Sequence, residues 1–237
     1  MVASAMGDDR DDDFEAMREA MVETIAIHAR LAEPHTGRGE IDDAVMAAMR
    51  AVPRHEFVPF EIQPYAYLDR PLPIGCGKTI SQPYIVALMT DLLEVGPEHT
   101  VLEIGTGLGY QSAVLARLAE RVFTVEFIDE LADEARRRLA QLAIHNVEAR
   151  IGDGARGWPE HAPYERIMVT AAPELVPAAL LGQLKAGGRM VIPAGIADDQ
   201  KLLLVTKDAG GRIKMDEILA VRFSELESED DDVARLE

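Results

Sequence analysis

The ten residues from Val101 to Tyr110, V-L-E-I-G-T-G-L-G-Y, constrain the fold of this chain more than any other stretch, because an apolar run breaks into glycines spaced G-x-G-x-G and a helical pattern follows at once. That order reads as a strand, a tight turn and a helix start. Glycines let the backbone approach a ligand closely and the first N–H groups of the helix lie free, so the turn suits an adenosine-type cofactor. A dinucleotide fingerprint, G-x-G-x-x-G, counted from Gly105 needs glycine at position 110, where Tyr110 stands. S-adenosylmethionine carries no pyrophosphate and tolerates the shorter loop. A glycine turn that merely joins a strand to a helix has the same local pattern, so the residues that follow decide.

After the loop, Ala113, Val114, Leu115 and Leu118 form one helical face, and Arg121 to Val125 reads as a second strand ending in Glu126. An acidic residue there, roughly 20 residues past the glycines, stands where a βαβ nucleotide site places a carboxylate under ribose hydroxyls; the alternative is a solvated surface Glu. A helix from about Asp129 buries Leu131, Ala135, Leu139 and Leu142, and a third strand, Val147 to Ile151, enters Gly152-Asp153-Gly154. At the carboxyl edge of such a sheet Asp153 could accept from an adenine amino group, or serve an ordinary Asx turn. Strands follow at Arg166 to Thr170 and Arg189 to Pro193. Two more, Lys201 to Thr206 and Ile218 to Phe223, form a hairpin about Asp208 to Gly211. The class is α/β: a Rossmann-like doubly wound, mostly parallel sheet with an antiparallel edge hairpin, preceded by an N-terminal helical segment.

The formal charge of −18 argues against nucleic acid or an anionic membrane as partner, and an anionic substrate needs local donors. The single cysteine, Cys76, excludes an internal disulfide and a cysteine-cluster metal site, and is expected to be a packed small residue. Acidic runs concentrate at the ends, so residues 1–13 are expected to be disordered and 224–237 to form an acidic tail. Between them lies one domain, 14–223, with a helical part (14–75) and a cofactor-binding sheet (76–223). Phe14, Met17, Met21, Ile25 and His28 recur at helical spacing, as do Ile41, Val45, Met49 and Val52; Met17, Met21, Met46 and Met49 read as core. Prolines from Pro53 to Pro73 mark an irregular segment ahead of Thr79. Cytoplasm is the expected location, since no apolar run reaches membrane-spanning length.

Thr79-Ile80-Ser81-Gln82-Pro83-Tyr84, then Val101 to Tyr110, Gly152-Asp153-Gly154, Val169-Thr170-Ala171-Ala172 and Leu184 to Arg189 closely resemble the protein-L-isoaspartate O-methyltransferases over about residues 40–223. The resemblance implies methyl transfer from S-adenosylmethionine, leaving S-adenosyl-L-homocysteine, to the α-carboxylate of isoaspartyl residues in damaged proteins. The ester then collapses to a succinimide that partly reopens as normal aspartate. Ser81 matches the active-site serine. Thr79, Ile80, Gln82, Glu103, Gly105 and Thr106 match cofactor positions, as do Gly107, Gly109, Glu126, Phe127, Asp153 and Gly154. With Ser81, the residues Thr170, Ala171, Ala172, Val221, Arg222 and Phe223 match the substrate side. The implied partners are isoaspartyl proteins and peptides, with no nucleic acid, membrane or metal, and the chain is expected to be a monomer.

Departures also exist. The family continues past Phe223 with Val-Pro and a large apolar residue, where this chain has Ser224, Glu225 and Leu226; Cys76 and Lys78 replace a frequent histidine and glutamine. A relative esterifying one dedicated peptide, or an inactive cofactor-binding homologue, therefore stays open. A carboxylate of pKa near 4 is ionised at neutral pH, so transfer from a sulfonium needs no strong base and Ser81 is expected to orient rather than to attack. The competing role for Ser81 is a helix cap ahead of Pro83.

Overall fold

The computed structural model describes residues 5–229, with side chains described from residue 12. The disorder expected of residues 1–4 and the tail residues 230–237 lie outside the described residues. Two amphipathic helices open the chain, α1 (Ala5–Thr36) and α2 (Asp43–Ala51). The run Asp8 to Asp13 is therefore helical, which corrects the disorder expected for it: acidic residues near a helix N-terminus are favoured by its dipole, and the packed turns from Phe14 onward propagate back through them. Met21, Met46 and Met49 are buried, whereas Met17 is 41% exposed, so the methionine stripe is core only in part. Asp42 caps α2 by accepting from Ala44 N at 2.8 Å. The carboxylate of Asp91 ties the helices together, accepting from Arg38 Nη1 at 2.7 Å and Asp42 N at 2.8 Å.

The proline-marked segment holds two 3-10 turns and then a small antiparallel hairpin, β1 (Leu72–Gly75) and β2 (Lys78–Ile80), which its prolines had hidden. Cys76 sits at the hairpin turn with φ +50, exposed, not packed as expected: a two-residue turn turns its side chains outward. The boundary expected at residues 75 and 76 falls inside this turn. Helix α3 (Pro83–Leu93) follows, with Pro83 in its first turn and Gln82 at the cap position.

The main sheet has seven strands in the order β5-β4-β3-β6-β7-β8-β9. In chain order these are β3 (Thr100–Ile104), α4 (Tyr110–Ala116), β4 (Arg121–Glu126), α5 (Asp129–Gln141), β5 (Val147–Ile151), β6 (Tyr164–Val169), α6 (Ala178–Gln183), β7 (Leu184–Ile196), β8 (Asp199–Lys207) and β9 (Ile213–Val221). The first five run parallel and the last two close the edge as an antiparallel hairpin, the architecture expected from the sequence. Alternation places Val101 on one face against α1 to α4, and Leu102 with Ile104 on the other against Trp158 and Leu180; both faces are buried, which is why β3 reads as a continuous apolar run. Strand β3 pairs with β4 on one side and β6 on the other. The chain reverses its winding there, and the Gly105 loop opens into that crevice.

The segment after β9 is not a free tail, which corrects the boundary placed at residue 224. Leu226 N donates to Ala172 O at 2.9 Å, Ala172 N donates to Ser224 O at 2.8 Å, and the Leu226 side chain joins the core beside Ile104. Leu226 is partly buried there, and this apolar contact together with the two main-chain hydrogen bonds holds the short acidic segment against the sheet.

Candidate active site

A cavity enclosing about 840 Å³, part of it continuous with solvent, lies over the carboxyl ends of β3, β4 and β6. Its floor is the glycine loop. Gly105 has φ +91, and a Cβ there would lie 2.5 Å from Thr170 Oγ1, so only glycine fits. Thr170 in turn donates to Gly105 O at 2.6 Å, fastening the end of β6 to the loop. Thr106 shares a hydrogen bond with Thr124 at 2.6 Å. Gly154 approaches Ile104 too closely to carry a side chain.

Glu126 ends β4 and is 7% exposed. Its Oε2 accepts from Gly107 N at 2.8 Å, and Oε1 accepts from Phe127 N at 3.0 Å and Ile128 N at 3.1 Å. Burial raises its pKa, and the three main-chain donors oppose that shift. A carboxylate oxygen offers two lone pairs, so Oε1 is filled and Oε2 keeps one acceptor site toward the cavity. An acceptor site of that kind is able to take a hydroxyl donor.

Ser81 faces the same cavity from the end of β2. The cap of α3 is Gln82, not Ser81, which removes the capping role as an account of this serine. Among the described residues its hydroxyl makes no hydrogen bond, while its carbonyl accepts from Arg54 Nη2 at 2.7 Å. Arg54 is fully buried, donates from Nε to Ala66 O at 2.7 Å, and lies 4.7 Å from the Tyr110 ring centroid. No signal in the sequence marked Arg54.

Eleven of the expected residues line this cavity: Thr79, Ile80, Ser81, Gly105, Thr106, Gly107, Glu126, Phe127, Gly154, Thr170 and Ala171. Eight do not. Gln82 turns away and donates to Asp69 at 2.9 Å. Glu103 follows the strand alternation to the face opposite Ile104, where it is fully buried beside Ser112 and titrates at about 8 because burial disfavours its charge; the Ser112 bond opposes that shift only in part. Gly109 packs on Ala135 and Leu139 of α5. Asp153 caps a 3-10 turn through Ala155 N at 2.8 Å and accepts from Glu229 N at 3.3 Å.

On the substrate side, the main chain of Ala172 is taken by Ser224 and Leu226. Arg222 pairs with Asp198 in solvent at 3.2 Å. Val221 pairs with Gln200 across the β8–β9 edge, and the main chain of Phe223 is clamped by the same Gln200 side chain at 2.7 and 3.2 Å. The cavity wall expected from Val221 to Phe223 is supplied by the next residues, Ser224 to Glu227. Lys78, Leu108, Tyr110 and Gln111 also line it. The signal for the wall was present: Leu226 is an apolar residue amid acids.

The family model for protein-L-isoaspartate(D-aspartate) O-methyltransferase matches residues 29–231. The chain belongs to that family. A protein-L-isoaspartate O-methyltransferase of Polaromonas sp. is 55% identical over 215 residues, covering 91% of each chain. One from Cupriavidus necator is 56% identical over 214 residues, covering 90% of this chain and 83% of the relative. A solved protein-L-isoaspartate O-methyltransferase superposes with a TM-score of 0.77 at 29% identity, over 89% of this chain and 66% of its own. A Plasmodium falciparum protein assigned to the same class and solved with S-adenosyl-L-homocysteine shares the fold at 23% identity and a TM-score of 0.75. Family membership gives this chain an S-adenosylmethionine-dependent carboxyl methyltransferase activity toward isoaspartyl residues of proteins.

Proposed function

We propose that methyl transfer runs in the cavity between Glu126 and Ser81, with each wall holding one reactant. The observation that carries this reading is one cavity, open in part to solvent, joining the Glu126 carboxylate to a Ser81 hydroxyl that has no hydrogen-bond partner among the described residues. The glycine cradle fits the cofactor, because Gly105 at φ +91 and Gly107 at φ +56 turn the main chain along the cavity floor with no side chain between it and a ligand. Gly105, Thr106, Gly107, Glu126 and Phe127 would hold its adenosine end. Bound S-adenosylmethionine supplies an electrophilic methyl on a sulfonium.

The acceptor carboxylate is ionised at neutral pH, so no residue has to remove a proton. Transfer of that methyl to the acceptor oxygen would leave S-adenosyl-L-homocysteine and a neutral ester, so a negative and a positive charge would be lost together. A partly apolar cavity favours that loss of charge over two solvated ions. Ser81 donates to the acceptor oxygen and fixes its line of approach, a positioning role that Arg54 supports through the Ser81 carbonyl. Glu103, turned away and protonated below about 8, serves no base role.

The repair route through a succinimide, a cytoplasmic location and action as a monomer are part of this reading. Labelled S-adenosylmethionine with matched isoaspartyl and aspartyl peptides tests it. Base-labile label on the isoaspartyl peptide alone supports the reading, and label on neither or equally on both rejects it.

A further inference from the structure

We propose that Lys78 is the receptor for the acceptor carboxylate and that Glu227 occupies it between turnovers. This rests on the cavity being the isoaspartyl methylation site. A chain of net charge −18 repels an anionic acceptor, so the acceptor needs a cation inside the site. Among the described residues lining the cavity, Lys78 is the one Lys, Arg or His. It stands three residues before Ser81, in the strand that leads to it, with its side chain 21% exposed.

Lys78 Nζ lies 2.6 Å from Glu227 Oε1, across 149 residues of sequence. The strap that brings Glu227 there is pinned on both sides: Leu226 bonds Ala172 and packs in the core, and Glu229 pairs with Arg156 at 2.9 Å. Glu227 thus presents a carboxylate at the cavity wall, the same chemical group as the acceptor, on the cation nearest Ser81 in the chain. An acceptor that replaces Glu227 leaves the partly buried ammonium paired throughout, which avoids the cost of an unpaired charge. Methylation then removes the acceptor's charge. The ester loses its hold on Lys78, Glu227 returns, and product release follows from the same exchange.

The test compares Lys78→Gln, Lys78→Arg, Glu227→Gln and the double variant Lys78→Gln/Glu227→Gln with the parent, measuring kcat and KM for an isoaspartyl peptide across ionic strength at saturating S-adenosylmethionine. Lys78→Gln is expected to raise KM about tenfold, to lower kcat less than that, and to flatten the rise of KM with salt. Lys78→Arg restores most of the affinity. Glu227→Gln lowers KM roughly threefold by removing the competitor, and has no such effect in the Lys78→Gln background. Cofactor affinity by calorimetry and thermal melting report that each variant is folded. A Lys78→Gln enzyme with the parental KM and salt dependence overturns the proposal, and so does a Glu227→Gln enzyme whose KM rises as Lys78→Gln's does, which marks the pair as a structural tie. A parent that labels no isoaspartyl peptide overturns the functional reading and this proposal together.

Discussion

Around Glu126 the carboxylate's partners are main-chain N–H groups, the farthest 19 residues away in sequence, while around Ser81 the fastenings come from side chains and segments across the chain. The cofactor wall is therefore a property of the backbone path. Strand β3, its glycine turn and strand β4 place Gly107 N against Glu126 as soon as the parallel pair forms. The acceptor wall is assembled from a buried Arg54 27 residues before Ser81 and a strap 149 residues beyond Lys78. Backbone geometry tolerates substitution of side chains around it; a wall made of long-range side-chain contacts can change its acceptor without disturbing the cofactor. The sequence after Phe223 builds part of the acceptor wall and also reaches the cofactor side, where Glu229 N donates to Asp153 at 3.3 Å.

Substitutions that strike one wall test whether the two are separable. The largest effect is expected from Gly105→Val, which forces a β-branched residue into φ +91 and against Thr170. Cofactor affinity, measured by calorimetry, should fall about 100-fold or more. Arg54→Met is expected to spare the cofactor and weaken the acceptor wall. It leaves the carbonyls of Ala66 and Ser81 without their donor, so stability drops by about 1–3 kcal/mol in denaturant titration and turnover falls about tenfold, with cofactor affinity little changed. If cofactor affinity falls with turnover, the walls are coupled.

The smallest effect belongs to Glu103, which lies behind both walls. Its folded pKa of about 8 exceeds the ordinary 4.5, so between those values the native state keeps a proton that the unfolded chain has lost. Stability contributed by the protonated form is complete below the unfolded value and is lost as pH rises through about 8. Thermal melting of the parent should therefore decline across that window, and Glu103→Gln should flatten the decline while leaving methyl transfer near the parental rate. An unchanged pH slope in the variant would show that Glu103 is not the titrating group.

The cofactor wall was legible in the sequence because each of its parts is local: an apolar run, glycines at fixed spacing, and a carboxylate at the next strand end. The resemblance set Glu103 among the cofactor positions, whereas strand alternation turns its side chain to the face opposite Ile104. Asp153 stands at the expected edge, yet its oxygens serve Ala155 and the strap. The acceptor wall was legible only at Ser81, Thr170 and Ala171, through a resemblance. Arg54 looked like any basic residue among prolines, since nothing local tells a buried guanidinium from a solvated one. The acidic composition of residues 224–229 hid the single leucine that anchors them.

Ser81→Ala is the variant that separates the two walls most directly, with turnover on an isoaspartyl peptide and S-adenosylmethionine affinity measured side by side. Turnover is expected to fall about 100-fold, because the acceptor oxygen loses its donor, while the dissociation constant of the cofactor stays within about threefold of the parent. An unchanged turnover, or a cofactor affinity that falls in step with it, would contradict the division of labour between Ser81 and the Gly105 to Glu126 wall.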